Sequence, residues 1–266
     1  MSDILVAIIL GIVEGITEFL PVSSTGHLIL ATELLGYDPE RWRVFNIAIQ
    51  PGAILAILVL YRRTFWAVAN GLVRWEPGAV AFVRNLLLAF LPAVILGLVF
   101  DDQIEALLGN AAVVAWALIA GGVAILVVER LARTENVLGV AGVSVAQSVK
   151  IGLVQCLAMV PGVSRSGATI MGAMAMGVDR RTAADFSFFL ALPTLTGATV
   201  LQLVKHRHEI APADLQLIAI GFIVSFVVAL AVVKAFMAVV TRHGFAPFAW
   251  YRIAAGGIAL AALAAR

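Results

Sequence analysis

Apolar residues fill this chain in long blocks, and polar positions are confined to short gaps between them. Residues 4–20 and 22–36 are two such blocks divided at Pro21. Each is short for a bilayer crossing of about 20 residues, so together they predict a re-entrant helical hairpin. Full spans are predicted at 44–61, 84–100 and 112–130, with charged residues between them. A second broken pair follows at 145–161 and 163–178, interrupted at Pro161-Gly162, and three more spans at 183–204, 214–236 and 247–265. The order of elements in the first half therefore recurs in the second.

A shift of 141 places superimposes Gly11 on Gly152, Val13 on Val154, Glu14 on Gln155, Val22 on Val163, Ser23 on Ser164, Ser24 on Arg165 and Gly26 on Gly167. Without a gap it also superimposes Phe45 on Phe186, Val59 on Val200 and Leu60 on Leu201. Three full spans per half is an odd number, so the second copy enters the membrane upside down. The expected fold is an all-α integral membrane protein, one membrane domain over 1–266. It contains an inverted-topology repeat, 1–132 and 142–266, each half with a re-entrant helical hairpin and three transmembrane helices.

Composition agrees with that pattern. Of 266 residues, 62% are hydrophobic and 13% charged, and mean hydropathy is +1.04. A soluble domain has roughly 25% charged residues. The expected setting is a lipid bilayer. A net charge of +2 is too small to suggest nucleic acid as a partner. Met1-Ser2-Asp3 carries no basic start, so no removable signal peptide is expected. The single cysteine, Cys156, reads as a small buried residue rather than a nucleophile.

Loop charges suggest an orientation. Residues 62–84 carry Arg62, Arg63, Arg74 and Arg84 against Glu76, whereas 101–111 carry Asp101, Asp102 and Glu105 and no base. The first loop is expected inside and the second outside, with both termini external. Residues 129–150 and 234–243 agree as cytoplasmic loops. Lys205-His206-Arg207-His208, external on this scheme, runs against the charge rule.

Within this apolar chain, Glu14 to His27 (EGITEFLPVSSTGH) places two carboxylates, four hydroxyls and an imidazole at membrane depth. Ionisable groups there point to function. Glu14 and Glu18, four apart, share a helix face and repel unless a cation or a shared proton lies between them. Pro21 breaks the helix, and Ser23, Ser24 and Thr25 open a second one, whose N-terminal N–H groups attract anions, phosphate above all. The second break, PGVSRSGAT over 161–169, puts Arg165 among Ser164, Ser166 and Thr169. A guanidinium can fork two N–H bonds onto one phosphate while nearby glycines admit the backbone closely.

These two motifs, with the spans between them, are similar to the undecaprenyl-diphosphate phosphatase family of bacteria, also called the bacitracin-resistance protein family. The likeness covers essentially the whole chain, and neither motif departs from the family pattern. It implies a multi-pass enzyme of the bacterial cytoplasmic membrane. Such an enzyme removes the terminal phosphate from undecaprenyl diphosphate, recycles the lipid carrier of cell-wall synthesis and confers bacitracin resistance. It also implies a divalent cation, for which oxygen ligands with retained waters suit Mg²⁺ or Ca²⁺, and a site open to the periplasm or cell exterior. The functional residues carried over are Glu14, Glu18, Ser24, His27 and Arg165.

In this reading Glu14 and Glu18 hold the metal, Arg165 clamps phosphate, and Glu18 can also serve as base. Ser24 is the candidate nucleophile, although a serine beside a helix break can equally serve only as a cap. His27, three residues on, can protonate the leaving phosphate, orient Ser24 or attack in its place. Ser23, Thr25, Gly26, Ser164, Ser166 and Thr169 are expected around the substrate. Sequence pattern alone allows a rival, because broken helices in inverted repeats also build secondary transporters and lipid flippases. Oligomeric state is open, a homodimer included.

Overall fold

The computed structural model describes residues 2–37, 39–108, 110–132, 137–208, 211 and 214–265. Among the described residues the chain is helical, with β structure confined to one isolated bridge between Val137 and Val178. The first half runs through α1 (Asp3–Thr17), α2 (Ser24–Leu34), α3 (Pro39–Leu60), α4 (Arg62–Val73), α5 (Pro77–Val99), α6 (Asp101–Leu108) and α7 (Ala111–Leu131). The second half comprises α8 (Val145–Gln155), α9 (Arg165–Ala175), α10 (Arg180–Lys205), α11 (Asp214–His243) and α12 (Ala246–Ala264). Among the described residues six helices are long and apolar enough to cross a membrane, namely α3, α5, α7, α10, α11 and α12.

The expected broken pairs exist, but their breaks are wider than the prolines alone suggest. α1 stops at Thr17, four residues before Pro21, and α8 gives way to a 3-10 turn over Cys156–Met159 before Pro161. A proline disfavours helical geometry in the residue before it. The chain accordingly leaves helix early and turns tightly, with the Val22 N–H donating to the Leu20 carbonyl at 2.7 Å. Glu18 thereby forms the C-cap of α1, its backbone still helical (φ −63°, ψ −43°), immediately before the turn.

Both second helices of the hairpins begin in the same way. Ser23 and Ser164 precede α2 and α9 with φ of 74° and 78°, and each side chain accepts an N–H three residues on, from Gly26 at 3.4 Å and Gly167 at 3.1 Å. Such backbone is strained for a non-glycine residue by about 1–3 kcal/mol, and the cap offsets part of that. Elsewhere, prolines at 51, 92 and 193 lie inside α3, α5 and α10, which continue through them. Pro51 therefore leaves the first span intact.

The hairpins are enclosed by long helices. α1 packs along α11, α11 along α3, α7 along α12, and α8 against α5 and α9. The tip of the second hairpin packs closely on α7, as Gly162 shows. At φ +95° its missing side chain would meet the Val114 carbonyl oxygen at 2.5 Å. Beneath the tips lies an aromatic core in which Phe19 meets Phe188 edge-on at 5.4 Å and Tyr61 meets Phe189 at 5.0 Å. The basic segment that opposed the charge rule lies beside the acidic one, since Lys205 Nζ pairs with Asp101 at 2.9 Å.

Candidate active site

Glu18 is the hub of the site. Its Oε2 accepts a short hydrogen bond from the Ser24 hydroxyl, and its Oε1 accepts from Arg165 Nη2 at 3.0 Å. Arg165 also donates from Nη1 to the Ser187 carbonyl at 2.8 Å and to its hydroxyl at 3.2 Å. The guanidinium carbon lies 5.8 Å from the centre of the Phe19 ring. Three of its sides are thus fixed by a carboxylate, an α10 serine and an aromatic face. Arg165 Nε, however, is buried without a partner among the described residues. Glu18 and Ser24 are 5% and 8% exposed, so this is a desolvated cluster in which charge–charge and charge–dipole terms are strong.

Ser24 is not the cap of α2, because Ser23 occupies that position. Its hydroxyl is directed to a carboxylate, the arrangement that lets a serine lose its proton to a base as it attacks. Ser164 caps α9, and its Oγ lies 3.0 Å from that of Ser166. Ser166 donates to the Leu20 carbonyl at 2.7 Å, tying one hairpin to the other. Thr169 donates to Ser187 Oγ at 2.7 Å and so supports the residue that holds Arg165.

These elements wall a cavity of about 480 Å³. Glu18, Ser23, Ser24, Thr25, Ser164 and Arg165 line its polar end, while Phe90, Val94 and Leu98 of α5 and Leu195 and Leu201 of α10 line an apolar side. Of the expected substrate-binding residues, Ser23, Thr25 and Ser164 face this space. Ser166 and Thr169 instead stand behind it as supports, and Gly26 lies where the hairpin tips meet, 3.6 Å from Gly162 Cα were it to carry a Cβ.

His27 departs from its expected place. Nδ1 donates to the Ser23 carbonyl at 2.7 Å, which leaves Nε2 to accept from the Tyr251 hydroxyl at 2.7 Å, and the two rings stack 12° from parallel. The imidazole therefore braces the hairpin turn against α12, away from the Ser24–Glu18 pair. The reason is local. On α2 the ring lies one turn beyond Ser23, within reach of its carbonyl.

Glu14 is fully buried, and among the described residues neither of its oxygens has a partner. Glu18 stands one turn away, its N–H donating to the Glu14 carbonyl at 3.0 Å. Among the described residues no group of three or more His, Cys, Asp or Glu side chains converges. Two orphaned carboxylate oxygens beside a second carboxylate supply the oxygen donors that a hard cation takes.

The sequence pattern missed Arg252. It is 1% exposed, and it donates from Nη1 to the carbonyls of Pro21 and Val163 (both 2.9 Å), from Nη2 to those of Ala117 (3.0 Å) and Gly162 (2.9 Å), and from Nε to that of Leu118 (3.2 Å). One side chain thereby joins both hairpin breaks to α7. Tyr251 and Ser187 were likewise passed over. An arginine inside an apolar span was the available signal.

A family model described as bacitracin resistance protein BacA matches residues 7–258. The chain belongs to this family. It is 60% identical over 270 residues to a protein of Novosphingobium aromaticivorans named undecaprenyl-diphosphatase, covering 100% of both chains. It is 59% identical over 264 residues to a protein of that name from Rhizorhabdus wittichii, and 58% identical to one from Sphingopyxis alaskensis, with 99% of each chain covered in both comparisons. Membership accounts for both motifs at once, because residues 7–258 contain 14–27 and 161–169 and all six membrane-length helices apart from the last turns of α12.

Proposed function

We propose that this chain hydrolyses undecaprenyl diphosphate to undecaprenyl phosphate and phosphate, as the names of its relatives indicate. The observation that carries the reading is Glu18, which holds a serine hydroxyl on one oxygen and a guanidinium on the other at the wall of a half-apolar cavity. The terminal phosphoryl group lies against Arg165, whose delocalised charge offsets the charge on its oxygens. Ser24 Oγ attacks phosphorus, its proton passes to Glu18, and the bond to the bridging oxygen breaks, releasing undecaprenyl phosphate. Water then attacks the phosphoserine. The serine oxygen recovers its proton from Glu18, and the water's proton leaves with the phosphate.

A divalent cation, Mg²⁺ or Ca²⁺, held by Glu14 and Glu18, would neutralise phosphoryl charge when bound. Ser23, Thr25 and Ser164 surround the phosphate end, while Ser187, Thr169 and Ser166 hold Arg165 and the turns in register. His27 acts as a brace for the Ser23 turn. The two halves, 1–132 and 142–266, form an inverted repeat, a reading supported by the recurring element order and the matched Ser23 and Ser164 caps. The protein resides in the bacterial inner membrane with the site open to the periplasm, a reading supported by the contrast between the arginine-rich 62–84 segment and the acidic 101–111 segment, whose Asp101 lines the cavity.

The test is phosphate release from undecaprenyl diphosphate by purified protein in detergent, where no membrane gradient exists. Release supports the enzyme. Its absence, together with movement of a polyprenyl phosphate across liposome bilayers, would favour a flippase or ion-coupled carrier.

A further inference from the structure

Gln155, the last residue of α8, lines the same cavity, is 2% exposed, and its Nε2 has no partner among the described residues. A buried amide N–H without a partner is destabilising, so it is expected to meet one when the cavity fills. Its surroundings leave the amide free to do so. Oε1 has only a 3.5 Å contact to Thr194 Oγ1, a hydroxyl whose proton is committed to the Leu190 carbonyl at 2.8 Å. The backbone that carries the amide is firmly placed, because Gly152, one turn earlier, packs against the Ala89 main chain of α5.

We infer that Gln155 is a substrate-contacting residue whose amide N–H binds the lipid-linked phosphate of a polyprenyl diphosphate while Arg165 holds the terminal one. The inference rests on the phosphatase reading. Two anchors on α10 mark the two positions, since Ser187 holds Arg165 and Thr194 neighbours Gln155. They are seven residues apart, about 10 Å along a helix. Beyond Thr194 the α10 wall continues with Leu195, Ala198 and Leu201, apolar surface suited to the chain attached to that second phosphate. With Oε1 beside Thr194, the NH₂ is the end of the amide left for an anion. A neutral donor also suits the position chemically, since the lipid-linked phosphate remains on the product and must be let go. In the repeat alignment Gln155 stands where the first half has Glu14, and a carboxylate here would repel the phosphate that the amide attracts.

The experiment measures KM for undecaprenyl diphosphate and inhibition constants for undecaprenyl phosphate and for inorganic phosphate, with wild-type, Gln155→Leu and Gln155→Glu enzymes in detergent. Undecaprenyl phosphate probes the inferred position, and inorganic phosphate probes the Arg165 position alone. Gln155→Leu should raise both KM and the undecaprenyl phosphate constant at least fivefold, leaving the inorganic phosphate constant within twofold. Gln155→Glu, which keeps shape and polarity, should raise the first two further, and it carries the test by itself if the leucine variant does not fold. Lipid constants within twofold of wild type overturn the inference. A parallel loss of inorganic phosphate inhibition also overturns it, because the residue would then act on the whole site. Failure of the wild-type enzyme to release phosphate would instead fault the phosphatase reading beneath it.

Discussion

Arg252→Lys keeps a positive charge in the same place and changes only the number and geometry of donors. The guanidinium serves five carbonyls at 2.9–3.2 Å, those of Pro21, Ala117, Leu118, Gly162 and Val163. An ammonium has three N–H bonds, so at least two carbonyls are left without this donor. Each buried group deprived of its partner costs about 1–3 kcal/mol, and with partial relaxation the loss should be about 3 kcal/mol. For a chain of this size that corresponds to a fall of roughly 6–12 °C in thermal midpoint. Because three of the five carbonyls belong to the hairpin breaks that position Ser24 and Arg165, turnover should fall even well below the midpoint. The assay is thermal unfolding in detergent with phosphate release measured in parallel. Gly121→Ala supplies the companion, since a methyl there would overlap the Arg252 guanidinium and displace it. The double variant should be little worse than the poorer single one. An Arg252→Lys midpoint within about 2 °C of wild type would refute the claim that this side chain joins the hairpins.

Other expectations follow from the same contacts. Arg165→Lys should lose most activity, because an ammonium cannot bond Glu18, Ser187 and a phosphate in the planar fork that Arg165 offers; near wild-type turnover would remove the clamp role. Glu14→Gln should weaken the dependence on divalent ion more than it lowers the rate at saturating metal. A metal titration unchanged by it would place the ion elsewhere. A cysteine at Glu76 should resist a membrane-impermeant thiol reagent in intact spheroplasts, and labelling there would invert the proposed orientation.

Hydropathy reveals the architecture well because the bilayer imposes it. Six long apolar runs and two runs split by proline leave few alternatives, and a helix stands at each expected span. Even so, α5 begins at Pro77 rather than 84, α11 runs on to His243, and the segments expected as loops after the first and second spans hold the further helices α4 and α6. Helix ends at the breaks were less legible. Thr17 to Val22 is apolar enough to continue a helix, yet the chain leaves it directly after Glu18, which stays as the C-cap of α1. The serines illustrate a finer limit. The sequence leaves Ser24 as either nucleophile or cap, and the structure decides, because Ser23, with φ of 74°, occupies the cap position. His27 was misplaced because spacing along α2 gave it Ser24 as a neighbour, whereas the ring's partner, Tyr251, lies 224 residues away. Arg252 had a local signal, a charge inside the last span, but the acceptors that explain it come from α7 and both breaks. No local pattern lists them.

The proposed chemistry is tested most directly by the phosphate-release rate of Ser24→Ala on undecaprenyl diphosphate at saturating substrate. The hydroxyl bonds Glu18 and does not cap α2, so its removal should leave the fold in place, with the thermal midpoint close to wild type. If Ser24 is the nucleophile, the rate should fall at least a hundredfold, with Ser24→Thr retaining part of it. A Ser24→Ala enzyme that keeps more than about a tenth of the wild-type rate, a barrier change below about 1.4 kcal/mol, would contradict attack by the serine and assign that role to water.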